Sequence, residues 1–204
     1  MAGPFSPILF KMILFVTNVA GYQAARTLYY GPPPTPNDGE HLMQAVVRNI
    51  QDVSCCNPTP LGMEDGSIPA DSISVSSSQE KDPAPLARLT SEVSVNGWVP
   101  KGGDQTPWIQ VDFPSTMFVT GLISQGCPTE WVDDYAVKYD HDGVITDLTD
   151  ANRRPVLFTG NTDGINLVTA IFPDILVTTI VRVLPKTCSG HRCCMRFEVM
   201  GCRP

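Results

Sequence analysis

The side chains best suited to chemistry fall in four places. Residues 140–142 set His141 between Asp140 and Asp142, and residues 188–194 (CSGHRCC) bring three thiols next to an imidazole. Both sets offer donors that metals take. Residues 121–126 (GLISQG) hold Ser124 between glycines, and Asn161 and Asp163 offer the hard oxygens that calcium prefers. Each set also has a simpler reading. Asp142-Gly143 is a hairpin turn signal, so residues 140–142 read as a solvated turn. The cysteine-rich stretch has no second half at zinc-finger spacing, and His41, His141 and His191 are far apart in sequence. Ser124 has one residue too many before it for a nucleophile elbow, and it ends a strand with no helix to follow. No catalytic group is expected, no cofactor, and no metal beyond calcium at Asn161 and Asp163, where turn-stabilising bonds explain the residues equally well.

The elements that would carry these residues are short strands. Ile109, Val111 and Phe113 alternate with Gln110 and Asp112, and Tyr135, Val137 and Tyr139 alternate with Ala136 and Lys138. Residues 118–123, 156–158, 167–172, 179–184 and 195–200 are further strand candidates, separated by Gly, Pro or Asp-Gly. Asp163-Gly164 reads as a second hairpin signal. At least seven short strands with no ordinary helix between them predict an all-β antiparallel sandwich or barrel.

The chain has 204 residues, 14 Lys and Arg against 21 Asp and Glu, and a net charge of −7. That balance excludes nucleic acid as a partner, because no basic run offsets the repulsion of a phosphate backbone. Residues 8–20 (ILFKMILFVTNVA) are apolar apart from Lys11, Thr17 and Asn18. The run is short for a membrane span and suits the core of a signal peptide over residues 1–21, followed by small residues for cleavage. Export agrees with the seven cysteines, since disulfides persist in oxidising compartments. Secretion is therefore expected. Residues 22–54 form a lead-in, with a proline-rich linker over 29–37. Within it, Leu42, Val46, Ile50 and Val53 are spaced for a short amphipathic helix over 40–53. The domain proper runs over 55–204.

From Cys56 onward the motifs have a familiar order. CNPTPLGMEDGSIP (56–69), ISVSSS (73–78), Ala87-Arg88-Leu89, Trp98 and WIQVDF (108–113) come first. Val119-Thr120-Gly121, Gln125-Gly126, Trp131-Val132, the 135–139 strand, FTGNTD (158–163), VRVLP (181–185) and CMRFEVMGC (194–202) complete the series. This order resembles the discoidin domain, also called the coagulation factor 5/8 type C domain, over residues 56–202. The resemblance implies a jelly-roll β-sandwich of about eight antiparallel strands whose ends are tied by a disulfide. Carried over, that bond joins Cys56 to Cys202, with Cys55 as the competing partner. One departure is Val99, where many family members have the cysteine that pairs with the one opening the Cys-Met-Arg run. Cys194 is thus left without its partner. Cys127 and Cys188 are the remaining candidates for a pair across the loop end, which would leave Cys55, Cys193 and Cys194. An odd thiol among seven cysteines also allows a covalent dimer.

The resemblance implies a binding module, with recognition through loops at one end of the sandwich. Those loops are residues 79–85, 100–104, 127–131 and 189–192. Gln79, Lys81, Lys101, Asp104, Glu130 and Arg192 are the polar side chains they would present to an extracellular glycan or protein. The first alternative is an anionic phospholipid surface such as phosphatidylserine; the second is a secreted hydrolase on a jelly-roll scaffold. Loop 79–85 has two acids and no aromatic tip, which disfavours membrane insertion. Trp98, Trp108 and Trp131 are expected in the core.

Overall fold

The computed structural model describes residues 57–81, 83–90, 96–190 and 192–203. The expected signal peptide, the expected linker and helix over 40–53, and Cys55 and Cys56 lie outside these residues. Eight strands are present among them: β1 (Thr59–Pro60), β2 (Ile73–Val75), β3 (Ile109–Gln125), β4 (Trp131–His141), β5 (Val144–Asp147), β6 (Leu157–Thr159), β7 (Val168–Ser189) and β8 (Arg196–Cys202). Their ladders run in the order β1-β8-β3-β7-β4-β5, with β2 also on β3 and β6 also on β4. Every strand–strand pairing is antiparallel.

The sandwich arises because β3 and β7 are long and bent. Residues 109–112 of β3 pair with 180–183 of β7, and residues 121–124 pair with 168–171. Between these stretches the register shifts. One layer is therefore β2-β3-β7-β4 with β5 and β6, and the other is β7-β3-β8-β1. The sequence led us to expect four separate strands here, broken near Pro114 and Pro173. Both prolines instead sit where the β3–β7 ladder has no partner, so their missing N–H groups break no bond and the strand bends without ending.

The inward faces follow the period-two pattern. Ile109, Val111, Val137, Val181 and Val183 of the first layer meet Leu122, Ala170, Phe197 and Val199 of the second in one core. Tyr135 stacks on Phe158 with ring centroids 5.6 Å apart, and burial pushes its phenol pKa up. The hairpin signal at Asp142-Gly143 is confirmed, with φ of 53° and 81° joining β4 to β5. This is the pair of positive φ angles that a two-residue hairpin turn needs. The signal at Asp163-Gly164 does not make a hairpin. β6 pairs with β4 and β7 with β3, and Asp163 closes a local turn.

Candidate functional site

Two charged side chains on β8 organise the ends of the sandwich. Arg196 is fully buried, and its Nε and Nη2 donate to the Gly126 carbonyl at 3.0 and 2.6 Å. Its Nη2 also reaches the Gly164 carbonyl at 3.5 Å, so one guanidinium ties together the turns after β3 and before β7. Burial pulls its pKa below the ordinary arginine value. Gly164 has to be glycine here, because a Cβ would collide with the Cys127 carbonyl. Glu198 is equally buried and accepts four backbone N–H bonds, from Gly62, Met63, Glu64 and Val199, at 2.7–3.2 Å. Arg88 holds the same lead-in loop by donating to the Met63 and Ile68 carbonyls. Sequence reasoning quoted these residues inside motifs and gave them no role. The available signal was a pair of charges at alternate positions in an otherwise apolar strand.

Contacts tie together the bases of the four expected loops. The Gln79 N–H donates to the Val99 carbonyl at 2.9 Å, and Trp98 exchanges backbone bonds with Met195. Val99 packs against Cys127 and Cys194. Gly190 lies against Thr129 and Glu130, and Arg192 pairs with Glu130 at 2.8 Å. Gln125 and Asn161 secure a fifth loop: Gln125 Nε2 donates to the Ile165 carbonyl at 2.6 Å, and Asn161 Nδ2 to the carbonyls of Ser124 and Asn166.

The disulfides correct the sequence reading. Cys127 is bonded to Cys194 and Cys188 to Cys193, not Cys127 to Cys188. The reason is register. Gln125 pairs with Arg196 across β3 and β8, and continuing that ladder by two residues places Cys127 opposite Cys194, with Cα atoms 5.8 Å apart. Cys194 thus finds a partner although position 99 is valine, and Val99 packs beside the bond. Cys202 is also disulfide-bonded, to a partner outside the described residues.

The expected ligand residues divide into two groups. Lys81 and Lys101 are exposed, and Gln79 is half-buried at the base of its loop. Asp104 is committed to its own loop: Oδ2 accepts the hydroxyls of Ser77 and Ser76 at 2.6 and 2.7 Å, and Oδ1 accepts the Thr106 N–H. Those bonds, the Ser77 hydroxyl foremost, lower its pKa. Glu130 and Arg192 are committed to each other. Asn161 is buried and its amide spends both donors on carbonyls, while Asp163 accepts from the backbone of Ile165 and Asn166. Bonding from Asn166, backbone first, lowers the Asp163 pKa. No cluster of three or more His, Cys, Asp or Glu able to hold a metal occurs among the described residues.

Two of the three tryptophans differ from expectation. Trp98 is fully buried and donates from Nε1 to the Ser77 carbonyl. Trp108 and Trp131 are only half-buried. The Trp108 ring lies 4.1 Å from the Arg182 guanidinium, and Trp131 Nε1 donates to Asp133. Their positions at the outward edges of strands, rather than inside the sandwich, explain the difference.

No helix among the described residues is long and apolar enough to cross a membrane. Human neuropilin-1 is 36% identical over 150 residues, covering 70% of this chain and 16% of that protein. Bovine lactadherin is 34% identical over 157 residues, covering 71% of this chain and 36% of that protein. The chain therefore spans well under half the length of these relatives. Among solved structures, discoidin II from Dictyostelium discoideum has a TM-score of 0.54 at 18% identity, covering 65% of this chain and 55% of that one. The family 32 CBM from C. perfringens NanJ, in complex with galactose, has a TM-score of 0.52 at 16% identity and covers 65% of this chain and 96% of that one. At such identities these neighbours establish the fold. The F5/8 type C domain model matches residues 72–199, which together with these relatives shows that the chain belongs to the F5/8 type C domain family.

Proposed function

We propose that this chain is an exported, non-enzymatic binding module that takes an extracellular carbohydrate or protein at the loop end of its sandwich. The observation that carries the reading is the convergence of the loops on a rigid base. Arg196 and the Cys127–Cys194 bond fix the stems beside them, while Lys81 and Lys101 are exposed. A scaffold that fixes loop stems lets the tips bind with little ordering cost. The galactose complex of a neighbour with the same fold supports a glycan among the ligands. In this reading residues 1–21 are removed on export, residues 22–54 lead in, and the domain runs from 55 to 204.

A second reading, an anionic phospholipid surface, gains support from residues that the sequence did not single out. Ile165 and Leu167 are 53% and 56% exposed in the loop before β7, at the same end. Exposed aliphatic tips beside lysines suit a headgroup layer. One experiment separates the two. Wild type and the Lys81→Ala/Lys101→Ala variant are applied to a glycan array and to phosphatidylserine vesicles. Glycan binding weakened by the variant supports the first reading. Vesicle binding without glycan binding, abolished by Ile165→Ser/Leu167→Ser, replaces it with the second.

A further inference from the structure

We propose that the outward face of the β2-β3-β7-β4-β5 layer carries a second binding site, distinct from the loop end, for the carboxylate of an acidic saccharide, with Arg182 and Lys138 as its cations. The strand registers place Ser74, Gln110, Arg182, Lys138 and Asp147 side by side in one row across five strands. At roughly 4.8 Å per strand the row spans about 19 Å. Residues paired in this way point to the same face, and this face is opposite the core valines Val111, Val137, Val181 and Val183.

Arg182 is held in place without a carboxylate of its own. Nε and Nη2 both donate to Gln110 Oε1, at 2.9 and 2.6 Å, and the guanidinium sits 4.1 Å from the Trp108 ring centroid. The Gln110 amide in turn donates to Asp112 Oδ1 at 2.9 Å, which fixes the orientation of the amide and keeps that carboxylate off the arginine. Among the described residues, Arg182 Nη1 has no hydrogen-bond partner. Its neighbour across the β7–β4 ladder is a second cation, Lys138, whose nearest carboxylate is Asp147 at 3.2 Å.

Two like charges directly opposite on adjacent strands cost stability, and a neutral acceptor offsets less of that cost than a carboxylate does. Lys138 already has Asp147, so the charge without a carboxylate is that of Arg182, and an incoming carboxylate supplies it by accepting from Nη1 on the side of Lys138. The arginine is already oriented by Gln110 and Trp108, so its side-chain ordering has taken place before the ligand arrives. Half-buried Trp108, just before β3, and half-buried Leu184 of β7 lie two residues from Gln110 and Arg182 and present apolar surface next to the cations. That combination, a fixed cationic fork beside a flat apolar step on a rigid sheet, fits the carboxylate and the carbon face of one pyranose ring.

The test is titration of the folded, disulfide-intact protein with sialyllactose, with neutral lactose and with a glutamate-rich peptide, followed by calorimetry and amide NMR shifts. Sialyllactose is expected to shift resonances of β3, β7 and β4, to bind at least tenfold more tightly than lactose at this face, and to weaken as salt rises. Lys138→Gln, which breaks only a half-exposed pair, and Arg182→Gln are each expected to reduce that binding about tenfold, and Lys81→Ala/Lys101→Ala to leave it unchanged. If Arg182→Gln does not fold, Lys138→Gln alone decides. The proposal is overturned if sialyllactose does not bind, if its shifts map to residues 79–104 and 127–131 and vanish in the lysine-loop variant, or if the peptide alone binds this face. Any of these outcomes leaves the loop-end reading to its own glycan and vesicle experiment.

Discussion

Trp98 has no exposed surface and donates its indole proton to the Ser77 carbonyl, whereas Trp108 keeps part of its ring in solvent under the Arg182 guanidinium. Trp98→Ala should therefore cost roughly 3–5 kcal/mol, the range for truncating a buried aromatic. Trp108→Ala should cost about 1–2 kcal/mol, close to the worth of a cation–π contact plus partial burial. Chemical denaturation of both variants checks this, and equal losses would mean that the two rings share one environment. Asp104 supplies a pH prediction. Its folded pKa is lowered by the Ser77 and Ser76 hydroxyls, so its contribution to order is complete above the ordinary aspartate value of 3.8 and is lost as pH falls through the lower, folded value. Carbonyl NMR titration should place its midpoint below 3.8, and Ser76→Ala/Ser77→Ala should raise it toward that value. An unmoved midpoint in the double variant would show that the hydroxyls are not the cause.

Alternation was legible at the start of β3 because inward Ile109, Val111 and Phe113 are apolar and outward Gln110 and Asp112 polar, and the Asp142-Gly143 turn because its two positive φ angles select those residue types. The bends were not legible. Pro114 and Pro173 look the same in a sequence whether they end a strand or occupy a gap in its ladder, and only the pairing of β3 with β7 distinguishes the cases. The disulfides were misread for the same reason, since the Cys127–Cys194 pair follows from the β3–β8 register and no local spacing encodes it. At the loop end, the convergence of the loops could be expected from the family resemblance. The pairing of Glu130 with Arg192 could not, because it depends on how far residues 127–131 and 189–192 lean together. Gly143 gives this scale a clean test. A Cβ there meets nothing within 4 Å, so Gly143→Ala isolates the cost of its φ of 81°. The expected loss is about 1 kcal/mol, the penalty for a left-handed L-residue. A loss near zero would show that the turn relaxes to another conformer.

The cysteines connect the whole molecule. Seven are present, and the described pairs use Cys127, Cys194, Cys188 and Cys193. Cys202 ends β8, which pairs with β1 at the start of the described domain, and its bonding partner lies outside the described residues. The family resemblance implies Cys56 as that partner, with Cys55 competing. A bond from Cys56 to Cys202 would close nearly the entire domain and on the chain-entropy account contribute about 4–5 kcal/mol by restricting the unfolded chain. Non-reducing peptide mapping should find Cys202 joined to Cys56, with Cys55 as the unpaired thiol. In an oxidising compartment such a thiol on a stapled domain has a second copy of itself as a ready partner. A non-reducing gel of protein produced under oxidising conditions should therefore show a band at twice the monomer mass that disappears on reduction and in Cys55→Ser. If mapping links Cys202 to Cys55 instead, the same experiment with Cys56→Ser decides. A monomer in every lane, with one alkylatable thiol per chain, would show that the odd cysteine stays free and that the binding site acts one copy at a time.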